Sequence, residues 1–133
     1  KLPLKKAEAE NQVVYTYHDA CYYGRHNGLF DEPRQVLREV ASGSLKELEN
    51  FREHSFCCGA GGGLMWLEEK PGQRVSHLRV EEIIKNGSNR VATSCPFCLT
   101  MLQDGLRDKG VDDIKVMDVA QVAASSLDIT ELR

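Results

Sequence analysis

The sequence predicts an α/β domain with a mostly parallel sheet, flanking helices and a cysteine site at the carboxyl edge of its strands. Three observations carry this prediction. Short β-branched and aromatic runs alternate with longer segments of helical apolar period, the pattern of βα units joined by right-handed crossovers. The five cysteines are spaced C-x35-C-C-G-x35-C-x-x-C, so Cys21 to Cys58 and Cys58 to Cys95 are both 37 positions. A recurring strand-loop-helix unit of about 30 or more residues produces such a separation. Finally, each cysteine group follows a predicted strand, and in open α/β sheets sites form beyond the carboxyl ends of the strands. Cys21, Cys57, Cys58, Cys95 and Cys98 are therefore expected to meet at one edge.

The elements follow in order. Lys1 to Asn11 is charged, apart from Leu2 to Leu4, and reads as a linker or an approach from a preceding domain. Val13 to Tyr17 is β-branched and aromatic, hence a first strand. After the turn residues Gly24, Asn27 and Gly28, Asp31 can cap a helix with Pro33 in its first turn, Val36, Leu37 and Val40 facing inward, and Gly43 ending it. A weaker strand is expected within Leu45 to Phe51. The cysteine-glycine loop follows, then Leu64 to Leu67 begins a helix that Pro71-Gly72 breaks. Gln73 to Asn86 has a helical apolar face of Val80, Ile83 and Ile84, with Gly87 at the C-cap. Arg90 to Thr93 is a strand, and Pro96 opens a helix to about Lys109 with Leu99, Leu102 and Leu106 on one side. Ile114 to Met117 is the last strand, and Asp118 caps a final helix whose Val119, Val122 and Ala123 face inward.

Composition narrows the function classes. At 133 residues, 41% hydrophobic and 28% charged, the chain fits one domain with a real core. The formal net charge of −3 and the lack of a basic stripe speak against a nucleic-acid partner. No apolar run reaches the length of a membrane span and no signal-peptide pattern opens the chain, so a cytoplasmic location is expected. An odd number of cysteines that includes a C-x-x-C fits a cytosolic metal or redox site better than a secreted disulfide framework. Because the chain begins at Lys1, it reads as a processed piece or one domain of a longer protein.

The chemistry centres on Ser55-Phe56-Cys57-Cys58-Gly59-Ala60-Gly61-Gly62-Gly63. Neighbouring side chains in extended backbone point to opposite sides, and a disulfide between adjacent cysteines is strained, so metal ligation explains the pair better than packing or bridging. Gly59, Gly61 and Gly62 allow positive φ and close approach, and their N–H groups can form an anion nest. Five converging thiolates exceed the four ligands of a tetrahedral zinc, which points to an iron–sulfur cluster. Cys95 at a predicted helix N-terminus and Cys98 in its first turn sit where the helix dipole favours thiolate. A thioredoxin-like dithiol is the rival reading of C-P-F-C, and it leaves Cys21, Cys57 and Cys58 unexplained. Of the histidines, His18 and His54 lie nearest the thiols in sequence and are candidates for hydrogen bonding or charge balance around the site. His26 and His77 read as structural. Arg25 and Arg34 could likewise offset cluster charge, with solvated surface arginine as the default; Asp19 reads as a turn cap, and Trp66 and the methionines as core.

Four segments carry a family resemblance. His18-Asp19-x-Cys21, Pro33-Arg34, Cys57-Cys58-Gly59-x-Gly61-Gly62 and Cys95-Pro96-x-Cys98 closely resemble the cysteine-rich CCG domain of the B-type subunit of heterodisulfide reductase and of related iron–sulfur oxidoreductases. The resemblance covers about Val13 to Leu127, so the domain is expected over residues 12–127, with 128–133 as a tail. It implies that the five matching cysteines bind a noncubane 4Fe-4S cluster, although some such domains hold zinc instead. Relatives include subunits of glycolate, lactate and glycerol-3-phosphate dehydrogenases, succinate dehydrogenase partners, and membrane proteins linking electron-transfer flavoprotein to quinone. The Met65 to Glu69 and Gln73 to Val75 segments look most like that last group. Family members commonly carry two such domains and often a ferredoxin-like one, whereas this chain has one motif. The resemblance thus implies an electron-transfer domain that is not catalytic alone, working with other domains or subunits of an oxidoreductase complex. A flavoprotein or ferredoxin-type donor would supply electrons for a disulfide or quinone acceptor, and the complex could sit at the cytoplasmic face of a membrane. A zinc-stabilised structural or docking module is the alternative from a different class.

Overall fold

A computed structural model describes Pro3, residues 13–67, residues 74–128 and Thr130. The expected linker at 1–11, apart from Pro3, the break at Pro71-Gly72, Gln73 and most of the tail lie outside the described residues. Ten elements follow in order: β1 Val14–Tyr17, α1 Asp31–Val40, β2 Ser44–Leu45, a 3-10 turn Arg52–His54, a 3-10 segment Gly61–Trp66, α2 Val75–Asn86, β3 Arg90–Thr93, α3 Pro96–Asp108, β4 Lys115–Asp118 and α4 Val119–Ser126.

The four strands form one sheet in the order β2-β1-β3-β4, parallel at every pairing. Tyr15 lies opposite Arg90 and Thr16 opposite Val91, while Val91 lies opposite Val116 on the other side. Successive strand residues point to opposite faces, and the core divides accordingly. Tyr15, Tyr17 and Ala92 pack with Leu37 of α1 and Val122 of α4. Val91 and Val116 pack with Val80 and Ile83 of α2 and with Leu102 and Leu106 of α3. The result is an α/β/α sandwich, the expected class.

Several local expectations change. Asp31 is the first residue of α1 rather than its cap; Phe30 holds the cap position without a side-chain bond, and Asp31 and Glu32 complement the helix dipole instead. The helix ends at Val40, before Gly43. Gly43 lies against β1, where an added Cβ would meet the Val13 carbonyl oxygen at 2.2 Å, so close backbone approach is the reason for glycine there. Val36 and Ile84 are exposed, because the buried stripes of α1 and α2 are centred on Arg34 and Leu37 and on Ser76, Arg79, Val80 and Ile83. Arg34 is fully buried, not solvated. Trp66 is 80% exposed, so it is not a core residue.

Candidate metal centre

The chain leaves β1 through His18, Asp19, Ala20 and Cys21. His18 N–H donates to the Ala92 carbonyl at 2.8 Å and Thr93 Oγ1 donates to the His18 carbonyl at 3.3 Å, so this exit stays beside the end of β3. β3 runs on to Cys95, which is the N-cap of α3, with Pro96 opening the helix and Cys98 in its first turn. Because β1 connects through α1 to β2 on one side while β3 connects through α3 to β4 on the other, the crevice between β1 and β3 is the topological switch point. That is where ligands bind in open α/β sheets.

Cys57 and Cys58 arrive by a different route. Cys57 lies 12 positions beyond Leu45, the end of β2, and the irregular segment and 3-10 turn between them carry the pair to the same edge. Among the described residues, each 35-residue spacer contains one α-helix and one strand, α1 with β2 and then α2 with β3, which is the structural source of the equal spacing.

The thiols converge. Cys58 and Cys98 are buried together with Ala20, and Cys57 and Cys95 pack against them. Cys21, Cys57, Cys58 and Cys98 line one small cavity with His18 and Arg25. Cys21, Cys58, Cys95 and Cys98 line an adjoining apolar cavity of about 520 Å³ rimmed by Tyr22, Trp66 and Phe97. This volume lies within the range of about 300–1,000 Å³ typical of ligand sites. All five cysteines carry free thiols.

The glycine loop supplies a donor to sulfur: Gly59 N–H donates to Cys57 Sγ at 3.3 Å. Gly59 has φ +94°, and a Cβ there would meet the Ser76 amide nitrogen at 3.0 Å, so the turn that aims its N–H at sulfur requires glycine. Gly61 lines the larger cavity, while Gly62, at φ +65°, is exposed and lines neither of the two cavities. The Cys57 thiol is pushed well above the ordinary range, chiefly by its hydrogen bond with Cys58 and then by burial. For Cys58 the bond with Cys57 pulls down, but the Cys98 thiol and burial outweigh it and raise the group to about 11. Thiols crowded in this way share protons, and a cation that displaces those protons relieves the crowding.

His18 is buried, and one of its ring nitrogens lies within 4.8 Å of the sulfurs of Cys58 and Cys98. His54 is exposed in the 3-10 turn and lines neither of these two cavities, so the structure does not bring it to the thiols. His26 packs a tilted ring against Tyr22, and His77 pairs with Asp108 on the surface.

Two buried cations were not legible as such in the sequence. Arg34 Nη1 and Nη2 donate to the two carboxylate oxygens of Asp19 at 2.7 and 2.9 Å, its Nε donates to Glu47, and its guanidinium stacks over Tyr17 at 5.1 Å. Asp19 is therefore a buried anchor rather than a simple turn cap. Arg79 donates to His18 Nδ1, the Asn50 carbonyl, Glu82 and Ser55 Oγ. The available signal was spacing, since Arg79 lies three residues after Ser76 and four before Ile83 on the buried stripe of α2.

Fold and site together define a parallel α/β domain with a multi-thiol centre at the switch point of its sheet. A family model described as a cysteine-rich domain, CCG, matches residues 15–103, and the chain belongs to that family. It is 43% identical over 113 residues to a protein named probable iron-sulfur-binding oxidoreductase FadF of Bacillus subtilis, covering 84% of this chain and 16% of that protein. It is 46% identical over 118 residues to EtfAB:quinone oxidoreductase of Syntrophomonas wolfei, covering 83% and 16%. To a subunit of the dihydromethanophenazine:CoB--CoM heterodisulfide reductase of Methanosarcina acetivorans it is 36% identical over 125 residues, covering 94% and 30%. The chain thus spans less than a third of the length of each of these relatives. No solved structure matches it significantly.

Proposed function

We propose that the chain is an iron–sulfur electron-transfer domain of a larger oxidoreductase, with Cys21, Cys57, Cys58, Cys95 and Cys98 holding a noncubane 4Fe-4S cluster. The convergence of five thiols from three separate chain segments carries this reading. One tetrahedral zinc would leave a thiol over, whereas a multi-iron cluster is held by cysteine thiolates and has several irons to satisfy. The names of the relatives, an iron-sulfur-binding oxidoreductase among them, support the cofactor class.

The donor set fits such a group. When bound, the cluster supplies one-electron transfer, and the chain does the rest. The Gly59 amide stabilises charge on the Cys57 sulfur, the buried guanidiniums of Arg34 and Arg79, each neutralised by carboxylates, hold the segments behind the site in place, and the larger cavity gives the site an apolar lining. The exposed rim of Tyr22, Trp66 and Phe97 faces the partners, which we take to be further domains or subunits with a flavoprotein or ferredoxin-type donor and a disulfide or quinone acceptor. No helix among the described residues is long and apolar enough to cross a membrane. We further infer that the domain, residues 12–127, works in the cytoplasm, at the membrane face where partners anchor it.

Anaerobic purification followed by iron, acid-labile sulfide and zinc analysis tests the proposal. Iron with labile sulfide is expected, Cys58→Ala should lose most of it, and His77→Ala should keep it. Stoichiometric zinc without iron would instead make this a zinc-stapled docking module. Equal iron in both variants and wild type would remove Cys58 from the site.

A further inference from the structure

By distance alone, His18 counts as a ligand beside Cys58 and Cys98, since one of its ring nitrogens and the two sulfurs all lie within 4.8 Å of one another. The hydrogen bond that the ring already accepts argues otherwise. Arg79 Nε donates to His18 Nδ1 at 3.0 Å. A guanidinium has five donors, no acceptor, and stays protonated in proteins, so the nitrogen that receives its hydrogen must be bare. In a neutral imidazole the proton then sits on Nε2. A metal-bound histidine has the reverse arrangement, with its non-ligating nitrogen donating to a carboxylate or carbonyl.

Arg79 is not free to turn away. It is fully buried, with Nη1 donating to the Asn50 carbonyl at 2.8 Å and to Glu82 Oε2 at 2.6 Å, and Nη2 to Ser55 Oγ at 3.0 Å. Glu82 is itself held, accepting from the Asn50 amide at 2.6 Å. The same helix, α2, thus fixes both the cation and the carboxylate that orients it.

We propose that Arg79 is a positioning residue that locks His18 as the Nε2–H tautomer, so that neither ring nitrogen is free to ligate a metal and His18 stands beside the Cys58 and Cys98 sulfurs as a neutral donor. Only the redox consequence rests on the iron–sulfur reading. A neutral N–H donor beside sulfur stabilises negative charge, and an added electron increases that charge, so His18 favours the reduced cluster and raises its potential.

The test uses protein labelled with ¹⁵N at histidine, in its anaerobic cluster-loaded form and after chelation. His18 is assigned by the signal missing in His18→Gln or, if that variant does not fold, by elimination through substitution of His26, His54 and His77. The expected spectrum shows protonated Nε2 and bare Nδ1 in both forms. A protonated Nδ1 with bare or metal-shifted Nε2 in the wild type would overturn the proposal. Redox titration then asks whether Arg79 acts through His18. His18→Leu and Arg79→Met should each shift the midpoint potential downward, and the double variant should shift little further than the larger single shift. Fully additive shifts would assign Arg79 to charge alone and overturn its positioning role. If the wild type takes up no iron, the cluster reading falls, while the ¹⁵N spectrum of the metal-free protein still decides the tautomer.

Discussion

Asp19 stands two residues before Cys21 and joins three segments that shape the site. It accepts from both terminal nitrogens of Arg34 from α1 and from the Arg52 amide, at 2.7 Å, in the segment entering Cys57. Removing one partner of a buried, hydrogen-bonded ion pair leaves a charge uncompensated, at a cost of about 3–5 kcal/mol. Arg34 would keep Glu47, so Asp19→Ala is expected to cost about 3 kcal/mol, the lower end of that range. Glu47 is 30% exposed on its side chain, and Glu47→Ala should cost on the order of 1 kcal/mol. Urea unfolding compares the two, and equal losses would show that burial does not set the difference. At this scale the thiols were legible and the cations were concealed. Cysteine spacing is visible in one dimension, whereas Arg34 and Arg79 look like surface residues until the helix stripes they share with Leu37 and Ile83 are drawn.

Elements with strong end signals were legible. β3 covers the expected residues Arg90–Thr93, α3 opens at Pro96, and Gly87 closes α2 at φ +81°. Asp118 accepts from the Ala120 amide while Gln121 accepts from the Asp118 amide, a capping box at the start of α4. Asp118→Ala should therefore lower stability by about 1 kcal/mol. Thermal unfolding would measure it, and an unchanged midpoint would mean that packing of Val122 alone holds α4. The segment between β2 and α2 was harder to read. β2 has only two residues, and the run from Gly61 to Trp66 is 3-10 with Gly62 and Gly63 at positive φ, because loop geometry at the thiols outweighs local propensity. Trp66 is exposed for the same reason: it borders the cavity instead of entering a core.

The whole molecule separates what holds the fold from what holds the cofactor. The two apolar layers lie on the faces of the sheet, between α1 and α4 on one side and α2 and α3 on the other, while the thiols sit beyond its edge. Cys21 is exposed and Cys57 and Cys95 are half-buried, so oxygen reaches the centre. Air exposure is thus expected to remove iron and labile sulfide and leave the far-ultraviolet circular dichroism unchanged. A cluster stable for days in air would contradict the open edge, and collapse of the dichroism signal would show that metal holds the sheet.

The pairing of β1 with β3 also sets a timetable. Tyr15 finds its partner Arg90 only 75 positions later, 90 minus 15. At a translation rate of about 5–20 residues per second, roughly 4–15 s separate the appearance of the two central strands. Over that interval the ribosome has released Cys21, then Cys57 and Cys58, with β1 and β2 able to pair but no β3 to form the crevice that gathers them. The nascent chain therefore carries the first three thiols for seconds without Cys95 and Cys98, and assembly of the complete centre waits until α3 has emerged.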